Sequence, residues 1–109
     1  MTSNTEQIRN LNDRLRQDLH QGAALITTGV AALGADVVTR IIKTISVYDD
    51  FCRDNDPHSE HDFGAFESEG HVIFFKIDYY DNTLTFHSPD AADPSVTKRV
   101  ITIMLAEEY

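Results

Sequence analysis

A single cysteine, Cys52, leaves no intramolecular disulfide to form, so the fold must rest on its core alone, as expected in a reducing cytoplasmic compartment. No run approaches the roughly 18 apolar residues that a membrane span needs. The opening MTSNTEQIRN likewise lacks the apolar stretch of a secretory signal, so the expected setting is soluble and unsecreted. Chemistry-bearing motifs are missing as well: there is no CxxC pair, no phosphate-binding glycine loop and no nucleophile elbow. No repeat and no low-complexity linker interrupts the chain, and 109 residues predict one domain spanning 1–109.

Cations are scarce where anions are dense. Between Asp49 and Asp93 the only basic residues are Arg53 and Lys76, against Asp49, Asp50, Asp54, Asp56, Glu60, Asp62, Glu67, Glu69, Asp78, Asp81, Asp90 and Asp93. That block carries −10, while residues 1–48 hold five cations and four acids and residues 94–109 two of each, which closes on −9 for the chain. The hydrophobic fraction of 41% and charged fraction of 25% are those of an ordinary globular protein. A one-signed field in the middle of a small protein favours basic partners and repels nucleic acid.

The N-terminal segment predicts a helix from Ser3 to Leu19. Ser3 and Glu6 form a capping box, Ile8, Leu11, Leu15 and Leu19 make one apolar stripe, and Arg9, Asp13, Arg14, Arg16 and Asp18 make a solvated face. Ala23 to Leu33, short and β-branched, reads as a strand with a bend at Gly29. Asp36 then caps a second helix ending near Val47, with Val37, Val38, Ile41, Ile42 and Ile45 at helical spacing. Tyr48 to Cys52 reads as a short strand before a polar loop broken by Pro57. Asp62 to Glu67 and His71 to Tyr80 flank Ser68-Glu69-Gly70 as a hairpin, and Thr83 to Phe86 pairs back as a third antiparallel strand. Asp93 and Pro94 open a C-terminal helix whose apolar face, Val96, Val100, Ile101, Ile103, Met104 and Leu105, covers the sheet. The expected class is α+β: helix, strand and helix, then an antiparallel meander and a closing helix packed on it.

Three constellations bear on function. Asp54 to Asp62 offers oxygen and imidazole ligands at almost every position: His58 and His61 with a carboxylate such as Glu60 would make a metal-binding set, and a hydrolytic reading takes His61 as base, Glu60, Asp62 or Asp78 as its partner and Cys52 or Ser59 as nucleophile. The spacing matches neither a zincin nor an EF-hand, and a solvated acidic loop is the plainer account. Phe63, Phe66, Phe74, Phe75, Tyr79, Tyr80 and Phe86 have carboxylate neighbours, which favours core packing over stacking on single-stranded nucleic acid. The acids themselves, if carried on strands at steps of roughly 6.6 Å, would resemble the spacing of successive phosphates and compete for a basic groove.

The stretch Phe51 to Tyr109 resembles a family of small acidic bacterial proteins, a domain of unknown function often carried on plasmids and integrated mobile elements. The resemblance rests on Asp54-Asn55-Asp56-Pro57-His58, Glu60-His61-Asp62-Phe63-Gly64, Lys76-Ile77-Asp78-Tyr79-Tyr80-Asp81, Ser88-Pro89-Asp90, Ala92-Asp93-Pro94 and Thr102-Ile103-Met104-Leu105-Ala106, and extends more loosely upstream. Such cargo includes acidic inhibitors of host defence, so the resemblance implies a setting and no catalytic residues. The expectation is a non-enzymatic inhibitor of anti-CRISPR or anti-restriction type that blocks the basic nucleic-acid-binding surface of a defence complex. Its contact residues would be Asp54, Asp56, Glu60, Asp62, Asp78 and Asp81, with Tyr79 and Tyr80 as anchors, and no cofactor, membrane or direct nucleic-acid partner is assigned. The alternatives are a metal-dependent hydrolase or regulator using His58, Glu60 and His61, and a homodimer formed through Tyr79, Tyr80 and the last helix.

Overall fold

The computed structural model describes residues 3–109. Helix α1, Asn4–Gln17, starts where Ser3 Oγ accepts from the Glu6 amide at 3.1 Å, as the capping residues predict. Leu15 is buried on the predicted stripe, but Asn12 and Arg16 are buried too, at 0% and 5% exposure, so Arg16 does not belong to a solvated face. Strand β1, Ala23–Ile26, is shorter than predicted. Gly29 marks no bend in it, because Thr27 Oγ1 accepts from the Val30 amide and starts a one-turn helix α2, Thr28–Ala31. Helix α3, Ala35–Val47, is capped by Gly34 at φ 102°, a left-handed conformation open to glycine, with Asp36 in its first turn and Ile41 and Ile45 in the core.

The hairpin forms as read: β2, Phe63–Ser68, pairs antiparallel with β3, His71–Tyr80, around Glu69 and Gly70, both at positive φ. Two other readings are corrected. Tyr48 to Cys52 is irregular, and Thr83 to Phe86 is a turn followed by one isolated bridge between Tyr80 and His87. The C-terminal helix is a strand. Asp93 and Pro94 set only a single 3-10 turn, Pro94–Val96, after which β4, Lys98–Leu105, runs between β1 (parallel) and β3 (antiparallel). Its Val100, Ile101, Ile103, Met104 and Leu105 are buried on both faces, the pattern of a central strand, which an apolar run of this length shares with a buried helix.

The α+β class stands, with a four-stranded mixed sheet in the order β1-β4-β3-β2 instead of a simple meander. Ile73, Phe75 and Ile77 of β3 pair in register with Leu105, Ile103 and Ile101 of β4, and these six side chains pack with Leu15, Val30, Ile41 and Ile45 from the helices. Gly64 is required beside them, because a Cβ there would fall 2.4 Å from the Phe75 ring and 2.7 Å from that of Tyr48. Among the described residues no helix is long and apolar enough to cross a membrane.

Candidate acidic interface at one end of the sheet

Sheet register decides where the acids go. β2 opens at Phe63 opposite Lys76, and β3 closes at Tyr80 opposite Lys98, where β4 opens. The loop entering β2 (48–62) and the loop joining β3 to β4 (81–97) therefore leave the same end of the sheet. The first carries Asp49, Asp50, Asp54, Asp56, Glu60 and Asp62, the second Asp81, Asp90 and Asp93, and Asp78 lies just inside β3. Glu67 and Glu69 lie at the opposite, hairpin end, where Glu69 is bonded by the Arg40 guanidinium. Only Glu67 and Asp78 lie on strands, so the expected strand-borne array of carboxylates does not form and the acidic pattern is made by loops.

Loop 48–62 is held by groups far away in sequence. Arg99, buried on β4, donates from Nε to Asn12 Oδ1 at 2.9 Å, and Asn12 Nδ2 donates to Tyr79 Oη at 2.7 Å and to the Glu60 carbonyl at 3.0 Å. The Tyr79 hydroxyl donates to Glu60 Oε1 at 2.8 Å. Burial and, less strongly, this bond to a carboxylate push the Tyr79 phenol far above its ordinary range, so it stays a donor. Arg16 reaches from α1 to the end of α3, donating to the carbonyls of Ile45 (2.8 Å) and Tyr48 (2.9 Å), the favoured place for a cation at a helix C-terminus. Asp13 Oδ1 bridges that guanidinium (2.7 Å) to His61 Nδ1 (2.9 Å), and the His61 ring stacks on Phe51 at 3.9 Å.

Loop 81–97 is held mostly by its own residues, although the Arg99 guanidinium of β4 also donates to the Ala91 carbonyl. Asp81 Oδ1 accepts from the amides of Thr83, Thr85 and Phe86 and from the Thr83 hydroxyl, an Asx-type turn. Asp90 accepts from the Ala92 amide and Asp93 from the Ser95 amide. The buried Ser88 and Thr97 hydroxyls bond each other at 2.7 Å, and Thr97 Oγ1 donates to the carbonyls of Asp90 and Asp93.

The sequence-predicted contact residues separate into two kinds. Asp56 is 7% exposed and its Oδ1 accepts from the amides of Glu60 and His61, while Glu60 and Tyr79 face each other inside the network, so these three shape the loop. Asp54 is exposed. Asp62, Asp78 and Tyr80 line one cleft of about 310 Å³ with Phe86 and His87. Burial first, then the neighbouring Glu60 and Asp56 charges, raises the Asp62 pKa, and Asp78 pairs with Lys76 at 3.1 Å. Asp81 organises its own turn, which presents Leu84 (57% exposed) and Phe86 (71%) to solvent. Among the described residues no three His, Cys, Asp or Glu side chains converge as metal ligands. His58 is exposed, and Glu60 and His61 bond Tyr79 and Asp13.

Sequence reasoning missed Asn12, Asp13, Arg16 and Arg99, the residues that hold the loops. For Asn12 a signal was present: it stands four residues after Ile8 and three before Leu15, a polar residue within the apolar stripe.

The chain belongs to the family described as "Protein of unknown function (DUF3768)", whose model matches residues 26–108. No curated protein and no solved structure matches it.

Proposed function

We propose that this member of the DUF3768 family is a non-enzymatic, cytoplasmic binding protein that sets the acidic end of its sheet against a basic nucleic-acid-binding surface of another protein and occludes it. The observation that supports the reading is the register of β2, β3 and β4, which brings both acid-rich loops to one end of the sheet. Asp81, held in place by its own hydrogen bonds, offers its field to a partner without first losing side-chain freedom. Asp54, Asp62, Asp78 and Asp81 supply the outward charge, and Tyr80, Leu84 and Phe86 supply apolar contact beside it. The partner class we favour is a CRISPR or restriction complex of the host, a reading supported by the resemblance to proteins of plasmids and mobile elements.

The test is capture of partners from a bacterial host lysate across a salt series, with and without nuclease. Capture should weaken steeply as salt rises and compete with added nucleic acid. Reversing the charge of Asp54, Asp62, Asp78 and Asp81 together should abolish it, and capture that survives the fourfold reversal would sink the proposal.

A further inference from the structure

Loop 48–62 also walls a second and larger cleft, of about 410 Å³, with a different chemistry. In a chain holding 18 acids and 9 Lys and Arg residues, two arginines, Arg9 from α1 and Arg53 from the loop, line this one cleft. Among the described residues no carboxylate lies within 4.0 Å of either guanidinium, whereas Arg16, Arg40 and Lys76 each pair with one. Arg9 is turned toward the loop by a bond from Nη1 to the Ser59 carbonyl at 3.1 Å.

His61 completes the lining. Its ring is fixed by Asp13 on Nδ1 and by the stack on Phe51, and its backbone sits at φ 56°, beside Ser59 at φ 58°. Two non-glycine residues in this loop thus hold left-handed backbone, and such strain gathers at binding sites. The remaining ring nitrogen, Nε2, is 3.9 Å from Asp56 Oδ2, too far for a hydrogen bond. The cleft therefore joins two guanidinia without carboxylate partners to an oriented imidazole with one free nitrogen.

We propose that this cleft binds a small phosphate monoester. Arg9 and Arg53 match the two charges of the phosphoryl group, and guanidinium forks suit its oxygens. His61 Nε2 bonds a third oxygen, since an imidazole nitrogen donates to a phosphoryl oxygen when it carries a proton and accepts from a protonated one when it does not. Asp56 Oδ2, facing the same space, accepts from a hydroxyl of the group that carries the phosphate. A compact dianion suits the site better than a long polyanion, which the surrounding acidic loops repel. The inference is independent of the acidic interface, so either reading can fail alone.

The experiment is an NMR and calorimetric titration of the full chain with ribose 5-phosphate and, separately, inorganic phosphate. Saturable shifts of the His61 ring and the Ser59 and His61 amides are expected with both, tighter for the ester if Asp56 contributes. Arg53→Gln, a surface change, and Arg9→Gln should each weaken binding about tenfold, the loss of one charge-assisted contact. Binding of inorganic phosphate alone would reduce the site to a free-phosphate site and overturn the monoester. No saturation at millimolar ligand, or shifts that persist unchanged in the doubly substituted Arg9→Gln, Arg53→Gln chain, would overturn the site altogether.

Discussion

The two acidic loops leave the same end of the sheet, yet one is held largely from outside and the other largely from within. Loop 48–62 takes its shape from Asn12, Asp13 and Arg16 on α1, Tyr79 on β3 and, through Asn12, Arg99 on β4. Loop 81–97 takes its shape mostly from its own Asp81, Ser88, Asp90, Asp93 and Thr97, with a side-chain tie from outside where the Arg99 guanidinium of β4 bonds the Ala91 carbonyl. The difference teaches which acids are replaceable. In the first loop a carboxylate such as Glu60 is part of a tertiary network, and its removal leaves the Tyr79 hydroxyl without its acceptor. In the second each carboxylate closes a turn of a few residues, so its loss stays local.

The strongest way to break this comparison is Asn12→Ala. Asn12 is fully buried and joins Arg99, Tyr79 and the Glu60 backbone. Truncating it strands several buried polar groups, at a cost on the order of 3 kcal/mol. Urea unfolding should show that loss, and amide exchange should quicken in 48–62 while 83–86 stays protected. Equal loosening of both loops would mean that the second also depends on the network. Tyr79→Phe is milder, removing one hydroxyl that bonds Asn12 and Glu60, and should cost about 1–2 kcal/mol in the same assay with the ring's packing kept.

Acid should act on the two loops with opposite sign. Asp62 has its pKa raised by burial above the ordinary 3.8, so the folded state binds this proton more readily than the unfolded chain. Its ionised form is a liability above the folded pKa, relieved as pH falls toward 3.8. Asp62→Asn should therefore stabilise the protein at pH 7, with the gain shrinking as acid is added. Asp81 and Asp93 have lowered values, set first by the side-chain bonds from Thr83 and Ser95, so they stabilise above 3.8 and lose that contribution as pH falls through the folded pKa. Asp81→Ala and Asp93→Ala should thus be destabilising at pH 7, with the difference from the parent closing in acid. Urea midpoints measured from pH 7 to pH 3 check both signs, and parallel curves for Asp62→Asn and Asp81→Ala would remove the distinction.

What was legible in the sequence follows the same division between local and distant causes. The Ser3 cap, the Glu69-Gly70 turn and the apolar stripe of α1 are short-range features and were readable. β4 was not: Asp93 and Pro94 set one turn correctly, but Val100 to Leu105 suits a buried helix or a central strand, and its pairing with β1 and β3 decided between them. The acidic charge was visible as a count. Its gathering at one end required the register of β2, β3 and β4, and the inward turn of Asp56 and Tyr79 depended on Asn12 and the backbone course of the loop, neither of which local spacing encodes.

The smallest expected effect sharpens the comparison most. In Asp81→Ala the single oxygen that accepts from the Thr83, Thr85 and Phe86 amides is gone, while the backbone bonds from the Asp81 amide to the Phe86 carbonyl (2.8 Å) and from Leu84 to the Asp81 carbonyl (2.9 Å) remain. Exchange should accelerate at Thr83, Thr85 and Phe86 alone, a loss confined to one turn, with the unfolding midpoint at pH 7 lowered by less than in Tyr79→Phe. Leu84, held at φ 59° by that turn, should relax toward ordinary backbone, which offsets part of the loss. Because the same turn presents Leu84 and Phe86, partner capture should fall more than stability does, whereas an unchanged capture would place the contact on loop 48–62 instead.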